Sequence, residues 1–354
     1  MLKKFLLLII MLAGVFFVSH NYFLYQSPIA KVKEVETTQK NVVDETSSTQ
    51  EQYYEQKLTV RVMNGESKGK EITLKNEYKY STVDTEKYRK GDDLFLSESL
   101  GTITGVKRDK YAVLLTALLV YLLIIIGGKR GILSAVSLAA NMLLFMAAIE
   151  IHERMGMDLL QLCIILTVVY TIFTLLLING LSRKTAAAIC STFLGAVVTM
   201  AIFMLVMQFG EPVDYASLDY IVGNQDLEMI FISSILIAGL GAMMDVGVSM
   251  AATIGELIEK DAQISVRQLI TSGREVGYDI MGTMLSVLLF TYLAGLMPMF
   301  LIKMKNGVSV ITLIKLHIPF EISRFLTGGI GILLSIPISI FCSILFMKMR
   351  RKRV

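Results

Sequence analysis

The chain has no tryptophan, five prolines, three cysteines and three histidines in 354 residues. Each scarcity excludes something. Without tryptophan, an aromatic belt at a membrane surface falls to tyrosine and phenylalanine. Cys163, Cys190 and Cys342 all lie in apolar runs, so the polar segment 26–109 has no disulfide and the thiols read as small buried hydrophobes. His20, His152 and His317 are scattered, and no His/Cys group has metal spacing. His152-Glu153 lacks the second histidine of a zinc-protease helix, and no Gly-rich loop of Walker type is present. No serine stands in a Gly-x-Ser-x-Gly elbow with a suitable base. No catalytic residue, metal or cofactor is therefore assigned, and the chain is expected not to be an enzyme. Most of the net charge of +4 sits in Lys348, Arg350, Arg351, Lys352 and Arg353, so nothing points to nucleic acid.

What is present is apolar sequence. The chain is 54% hydrophobic with a mean hydropathy of +0.62, above soluble domains. Residues 26–109 hold 14 Lys/Arg and 15 Asp/Glu, 29 of the 64 charged side chains. The rest reads as membrane. Lys3-Lys4 followed by apolar residues from Phe5 to Val18 has the shape of a signal segment. Small residues at a cleavage exit are missing, so an uncleaved anchor over 1–25, the first spanning helix, is expected. Apolar stretches near 111–128, 131–150, 159–179, 185–208, 229–255, 281–302 and 323–346 bring the spans to about eight.

Lys3/Lys4, Lys129/Arg130, Arg183/Lys184, the 258–280 loop and the tail at 348–354 alternate with these spans on one face, the expected cytoplasm. Residues 26–109 and the acidic loop 209–228 fall on the other. Lys303, Lys305 and Lys315 are exceptions, leaving 303–321 open between an external loop and a re-entrant segment. The expected architecture is an α-helical polytopic membrane protein with a small all-β extracytoplasmic domain. Residues 26–56 form a flexible polar tether, 57–109 the β-rich module, and 110–347 seven membrane helices. The alternating runs Lys57–Gly65 and Glu71–Lys75, with Leu94–Leu96 and Thr102–Gly105, supply the strands.

Three polar clusters stand out against the apolar background. Asp245, Ser249, Ala252 and Glu256, at i, i+4, i+7 and i+11, form one helical stripe. A carboxylate at bilayer depth costs roughly 2.5–3.5 kcal/mol on insertion scales, so Asp245 needs a partner, a cavity or a task. Asp279, Thr283 and Ser286 repeat the pattern one span on, with N-capping as the plain alternative for Asp279. Arg274 precedes them and could pair with Asp245 or Glu256. Glu321 and Arg324, at i and i+3, could form an intrahelical pair. Glycines at 239, 241, 247 and 255 suit close or interrupted helices.

The segments Gly241-Ala-Met-Met-Asp245-Val-Gly-Val-Ser249-Met-Ala-Ala, Gly273-Arg-Glu-Val-Gly-Tyr-Asp279-Ile-Met-Gly-Thr283-Met and Glu321-Ile-Ser-Arg324-Phe-Leu-Thr-Gly-Gly-Ile-Gly-Ile-Leu-Leu-Ser-Ile-Pro337 resemble the YibE/F-like family of bacterial multi-pass membrane proteins. The resemblance covers roughly 110–350. One departure is that Gly273-Arg-Glu-Val-Gly-Tyr-Asp279 stands where a continuous glycine–arginine–aspartate run is expected, which separates Arg274 from Asp279. The resemblance implies a shared site and no substrate. With its N-terminal anchor and external domain the chain is similar to the YibE side of a two-protein system, implying a YibF-like membrane partner or a homo-oligomer.

Two function classes follow. A transporter or permease would use Asp245, Ser249, Glu256, Arg274, Asp279, Thr283 and Ser286 as its ion or solute pathway, with Glu321 and Arg324 secondary. The alternative is a non-enzymatic assembly or sensing subunit. An intramembrane aspartyl protease is disfavoured, because Asp245 lacks an adjoining Gly-x-Gly and the two aspartate motifs come in the reverse order.

Overall fold

The computed structural model describes residues 2–40, 52–82, 85–210 and 227–347. The acidic connection carrying Glu211, Asp214, Asp219 and Asp226, and the basic tail, lie outside the described residues. The chain divides into two units, 1–132 and 133–354.

In the first unit, α1 (Leu2–His20) is followed by a short 3-10 turn at Tyr22–Leu24 and five strands: β1 (Ile29–Lys40), β2 (Tyr53–Val62), β3 (Glu71–Lys79), β4 (Asp93–Leu96) and β5 (Ile103–Val106). All pair antiparallel in the order β3-β2-β1-β4-β5. Alternation builds the core: Leu58, Val60 and Val62 of β2 face Ala30, Val32, Leu74, Leu94 and Leu96.

The tether expected over 26–56 is corrected at Ile29–Lys40, which is the central strand of the sheet. Its sequence misled because only Ile29, Ala30 and Val32 are buried. Beyond Val32 the strand is polar on both faces and gains its order from ladder bonds to β2 and cross-strand pairs such as Lys40–Glu77. Residues 41–51 lie outside the described residues. Gly65-Glu-Ser67-Lys-Gly69 is the turn between β2 and β3, with Gly65 at φ +72°, and not a strand-to-helix elbow.

Helix α2 (Asp109–Met155) contains two of the expected spans, broken at Gly128 (φ 54°, ψ −125°). There the chain folds back so sharply that a Cβ on Gly131 would strike the Leu123 carbonyl.

In the second unit, α3 (Leu159–Asn179) is capped by the Asp158 carboxylate, and α4 (Arg183–Phe209) by Ser182. The sixth expected span runs as α5 (Leu227–Ala238) and α6 (Leu240–Lys260), joined at Gly239, whose backbone stays close to helical at φ −86° and ψ −13°. The partners change at this point: α5 packs chiefly on α3, whereas α6 packs on α4, α7 and α8. Helices α7 (Val266–Lys305) and α8 (Val310–Met347) complete the unit. Residues 303–321 are the end of α7, a turn with Gly307 at φ +83°, and the first turns of α8, rather than a loop.

Small residues let these helices approach. A Cβ on Gly195 of α4 would lie 2.9 Å from Ser335 Oγ of α8. One on Gly247 of α6 would lie 3.1 Å from Ser191 Oγ and 3.2 Å from Thr192 Oγ1 of α4. One on Gly273 of α7 would lie 3.0 Å from Ile340 of α8 and 3.2 Å from Ile254 of α6. Association through small residues is the membrane counterpart of core packing. Among the described residues, six continuous or interrupted helices are long and apolar enough to cross a bilayer. The protein is a polytopic helical membrane protein with a small N-terminal β domain.

Candidate functional site

The α4 seam sets the rotation of α6. Met243, Val246, Gly247, Met250, Ala251, Ile254, Gly255 and Ile258 are buried against α4, α7 and α8. Helical geometry turns the opposite arc outward, so Asp245 and Glu256 are exposed, with Ser249 and Ala252 half-buried. Helix α7 behaves likewise. Leu269, Gly273, Gly277 and Leu288 are its buried face, while Asp279, Thr283 and Ser286 are exposed. The Thr283 hydroxyl donates to Ile280 O at 2.8 Å and that of Ser286 to Gly282 O at 2.8 Å, so neither reaches across to a neighbouring helix.

Helices α6 and α7 adjoin and run antiparallel through the Ile254–Gly273 contact, so equal rises put Asp279 level with Val248–Ser249 and Asp245 level with Gly282–Thr283. The two stripes therefore share one level on neighbouring helices, and Asp245, Asp279, Thr283 and Ser286 all lie on the exposed surface of this chain.

Depth follows from the Lys184–Glu259 ion pair (2.9 Å), which joins the ends of α4 and α6. Counting along α6, Asp279 stands about 16 Å and Asp245 about 21 Å inward from that pair. Both are near the middle of a ~30 Å hydrocarbon core. The expectation that Asp279 caps a span beginning at 281 is corrected. The capping box is Ser265/Gln268, and α7 already packs on α8 at Leu269 and Gly273, so Asp279 is deep in the helix interior. Among the described residues Asp245, Glu256 and Asp279 have no ion pair or side-chain hydrogen bond.

Arg274 does not join this surface. It lies on the other flank of α7 with its guanidinium 5.5 Å from the Tyr278 ring centre, in a groove shared with α8. The expected pairing with Asp245 or Glu256 is overturned, because five positions of helix separate the directions of Arg274 and Asp279 by about 140°. Glu321 and Arg324 do pair, Nη1 to Oε1 at 2.6 Å, and Arg324 Nε donates to Ser234 Oγ of α5 at 3.3 Å. With the guanidinium 5.9 Å from the Phe231 ring centre, this pair ties α8 to α5.

The sequence reading missed a row of hydroxyls in the seam itself. Thr327, Ser335, Ser339 and Ser343, with Gly331 in the same register, recur at multiples of four along α8 and are all buried. On α4, Thr199 lies against Gly331 and Gly195 against Ser335. The four-residue spacing was the available signal. The Cys342 thiol meets that of Cys190 across the same seam, both free.

The first unit has its own polar cluster. The Lys107 side chain, 2% exposed, lies 3.0 Å from Asp109. It also donates to the Val18 carbonyl of α1 at 2.7 Å and faces the Tyr22 and Tyr25 rings. Tyr22 donates to Asp93 at 3.1 Å. Burial, with the neighbouring Asp93 charge, pushes the Tyr22 phenol up to about 12. Burial also holds the Asp93 carboxyl above the usual carboxylate range. The cluster fastens the end of α1, the sheet and the start of α2 to one another.

Family comparison agrees with this two-part layout. A model described as YibE/F-like protein matches residues 115–349, and one described as the YibE/F family N-terminal domain matches residues 23–107. No curated protein and no solved structure matches.

Proposed function

Because the chain belongs to the YibE/F-like family, we propose that it is a non-enzymatic membrane permease for protons or small cations whose polar pathway is completed by a second membrane chain. One observation carries this reading: Asp245 and Asp279 stand exposed at mid-depth on spanning helices without a neutralising group among the described residues. A carboxylate facing lipid costs several kcal/mol, whereas one lining a wet interface between subunits does not. The covering chain is a second copy or a related YibF-like protein. The bilayer is the cytoplasmic membrane, with both termini inside and 26–109 outside.

Flux into proteoliposomes containing the purified full-length chain, with and without its family partner, tests the reading. Asp245→Asn and Asp279→Asn should each reduce proton or monovalent-cation flux at least tenfold. Unchanged flux in both variants would remove the stripes from any pathway.

A second reading, a sensing or assembly subunit, draws on the Lys107 cluster, through which a partner bound to the sheet would act on α1 and α2. Deleting residues 31–105 separates the two. Flux that survives while complex formation fails makes the β domain an assembly module.

A further inference from the structure

A groove of about 480 Å³ runs between α7 and α8 on the flank opposite the carboxylates. Ile270, Tyr278, Leu333, Pro337, Phe341 and Leu345 line most of it, and Arg274 is its single charged lining residue. From these features we infer that the groove binds one anionic phospholipid, its phosphate on Arg274 and an acyl chain along α8.

Three observations select that occupant. The first is charge. Among the described residues no carboxylate lies within ion-pair distance of Arg274, whose recognised contact is the Tyr278 ring. A guanidinium near hydrocarbon requires an anion, and its fork matches phosphate oxygens bidentately. The Tyr278 hydroxyl, also without a partner among the described residues, supplies a further donor. The second is length. The groove extends from Val266 to Met281, about 22 Å along the helix. That is the depth of one leaflet with its headgroup, not of the ~30 Å core that a partner helix would cover. The third is depth. The Ile254–Gly273 register puts Arg274 level with Thr253, about 9 Å inward from Lys184–Glu259 and within reach of the headgroup by snorkelling. The remaining lining is hydrocarbon, so it accommodates the chain and not a free anion.

The test is native mass spectrometry of the full-length chain released from nanodiscs of equimolar phosphatidylglycerol and phosphatidylethanolamine. Wild type should retain one phosphatidylglycerol in about tenfold preference, as expected for one charge-assisted hydrogen-bonded contact. Arg274→Gln should lose the preference while still holding either lipid. Ile270→Trp, which fills the groove from its exposed side, should lose retention of both. Melting temperatures within about two degrees of wild type identify the variants as folded, and Arg274→Lys, which keeps the charge, should keep part of the preference. Equal retention of the two lipids by wild type, or an undiminished preference in Arg274→Gln, would overturn the inference. So would displacement of the bound lipid by inorganic phosphate, or a covalent dimer formed through Ile270→Cys and Phe341→Cys.

Discussion

Replacing Gly247 by valine should destabilise the membrane domain, and replacing Gly241 on the same helix should not. A Cβ on Gly247 would meet Ser191 Oγ at 3.1 Å, Thr192 Oγ1 at 3.2 Å and the Ala188 carbonyl oxygen at 3.3 Å. The two further methyl groups of valine have nowhere to go without separating α4 from α6. Overpacking of this kind costs about 1–3 kcal/mol. Gly241 has nothing within 4 Å of its Cβ position and is exposed, so valine there changes only helix propensity, by a few tenths of a kcal/mol. At about 2–4 °C per kcal/mol for a domain of this size, the Gly247 variant should melt some 2–12 °C below wild type. Melting of the full-length chain in a mild detergent, followed by intrinsic fluorescence or by scattering, reads the difference. The pair also tests the site, since the rotation that seats Gly247 on α4 is what turns Asp245 outward. If both variants melt together, α6 is not seated on α4 and the outward stripe is wrong.

Three further outcomes follow from the same geometry. Asn64 holds the turn after α1 by accepting from Ile29 N at 2.6 Å and sharing its two Nδ2 hydrogens among the Tyr22, Tyr25 and Ser27 carbonyls, each 3.0 Å away. Asn64→Ala strands those buried groups and should destabilise the β domain by about 2–4 kcal/mol, seen as faster limited proteolysis within 23–107. Asp93, raised by burial, binds its proton more tightly in the folded state than in the unfolded one. Its contribution is therefore full below the ordinary aspartate value of about 3.9 and is lost as pH rises through the raised folded value. Asp93→Asn should flatten that slope in a pH series of proteolysis rates; an unchanged slope would assign it elsewhere. Arg324→Gln leaves the half-buried Glu321 and the Ser234 hydroxyl without their donor. It should lower stability by about 1–3 kcal/mol, more than Glu321→Gln, which keeps an acceptor; the reverse order would count against the α5–α8 tie.

The spans were legible because length and hydropathy decide membrane crossing, and the strands from β2 to β5 because one buried face leaves a period of two. Ile29–Lys40 was not legible, since most of that strand is polar on both faces and its order comes from pairing with β2, between 13 and 32 positions away. The two stripes could be read from spacing. Their outward direction could not. It depends on which arcs Gly247 and Gly273 bury, and a glycine does not announce its neighbour. Arg274 illustrates the same limit: sequence places it five residues from Asp279, but only the contact of Gly277 with Ile336 shows it turned toward α8. The hydroxyl row of α8 hid in an apolar run because serine is also one of the small residues by which membrane helices pack, so its spacing passes as filling.

The surface carrying Asp245, Ser249 and Asp279 is proposed to face another protein chain and not lipid. A photoreactive side chain in place of Ser249, activated in native membranes and followed by identification of the adduct, addresses it directly. The expected product is a covalent adduct to a second copy or to a related YibF-like chain, lost when Gly247→Val disturbs the seating of α6. Adducts to lipid alone, in membranes that contain the full complement of partners, would contradict it.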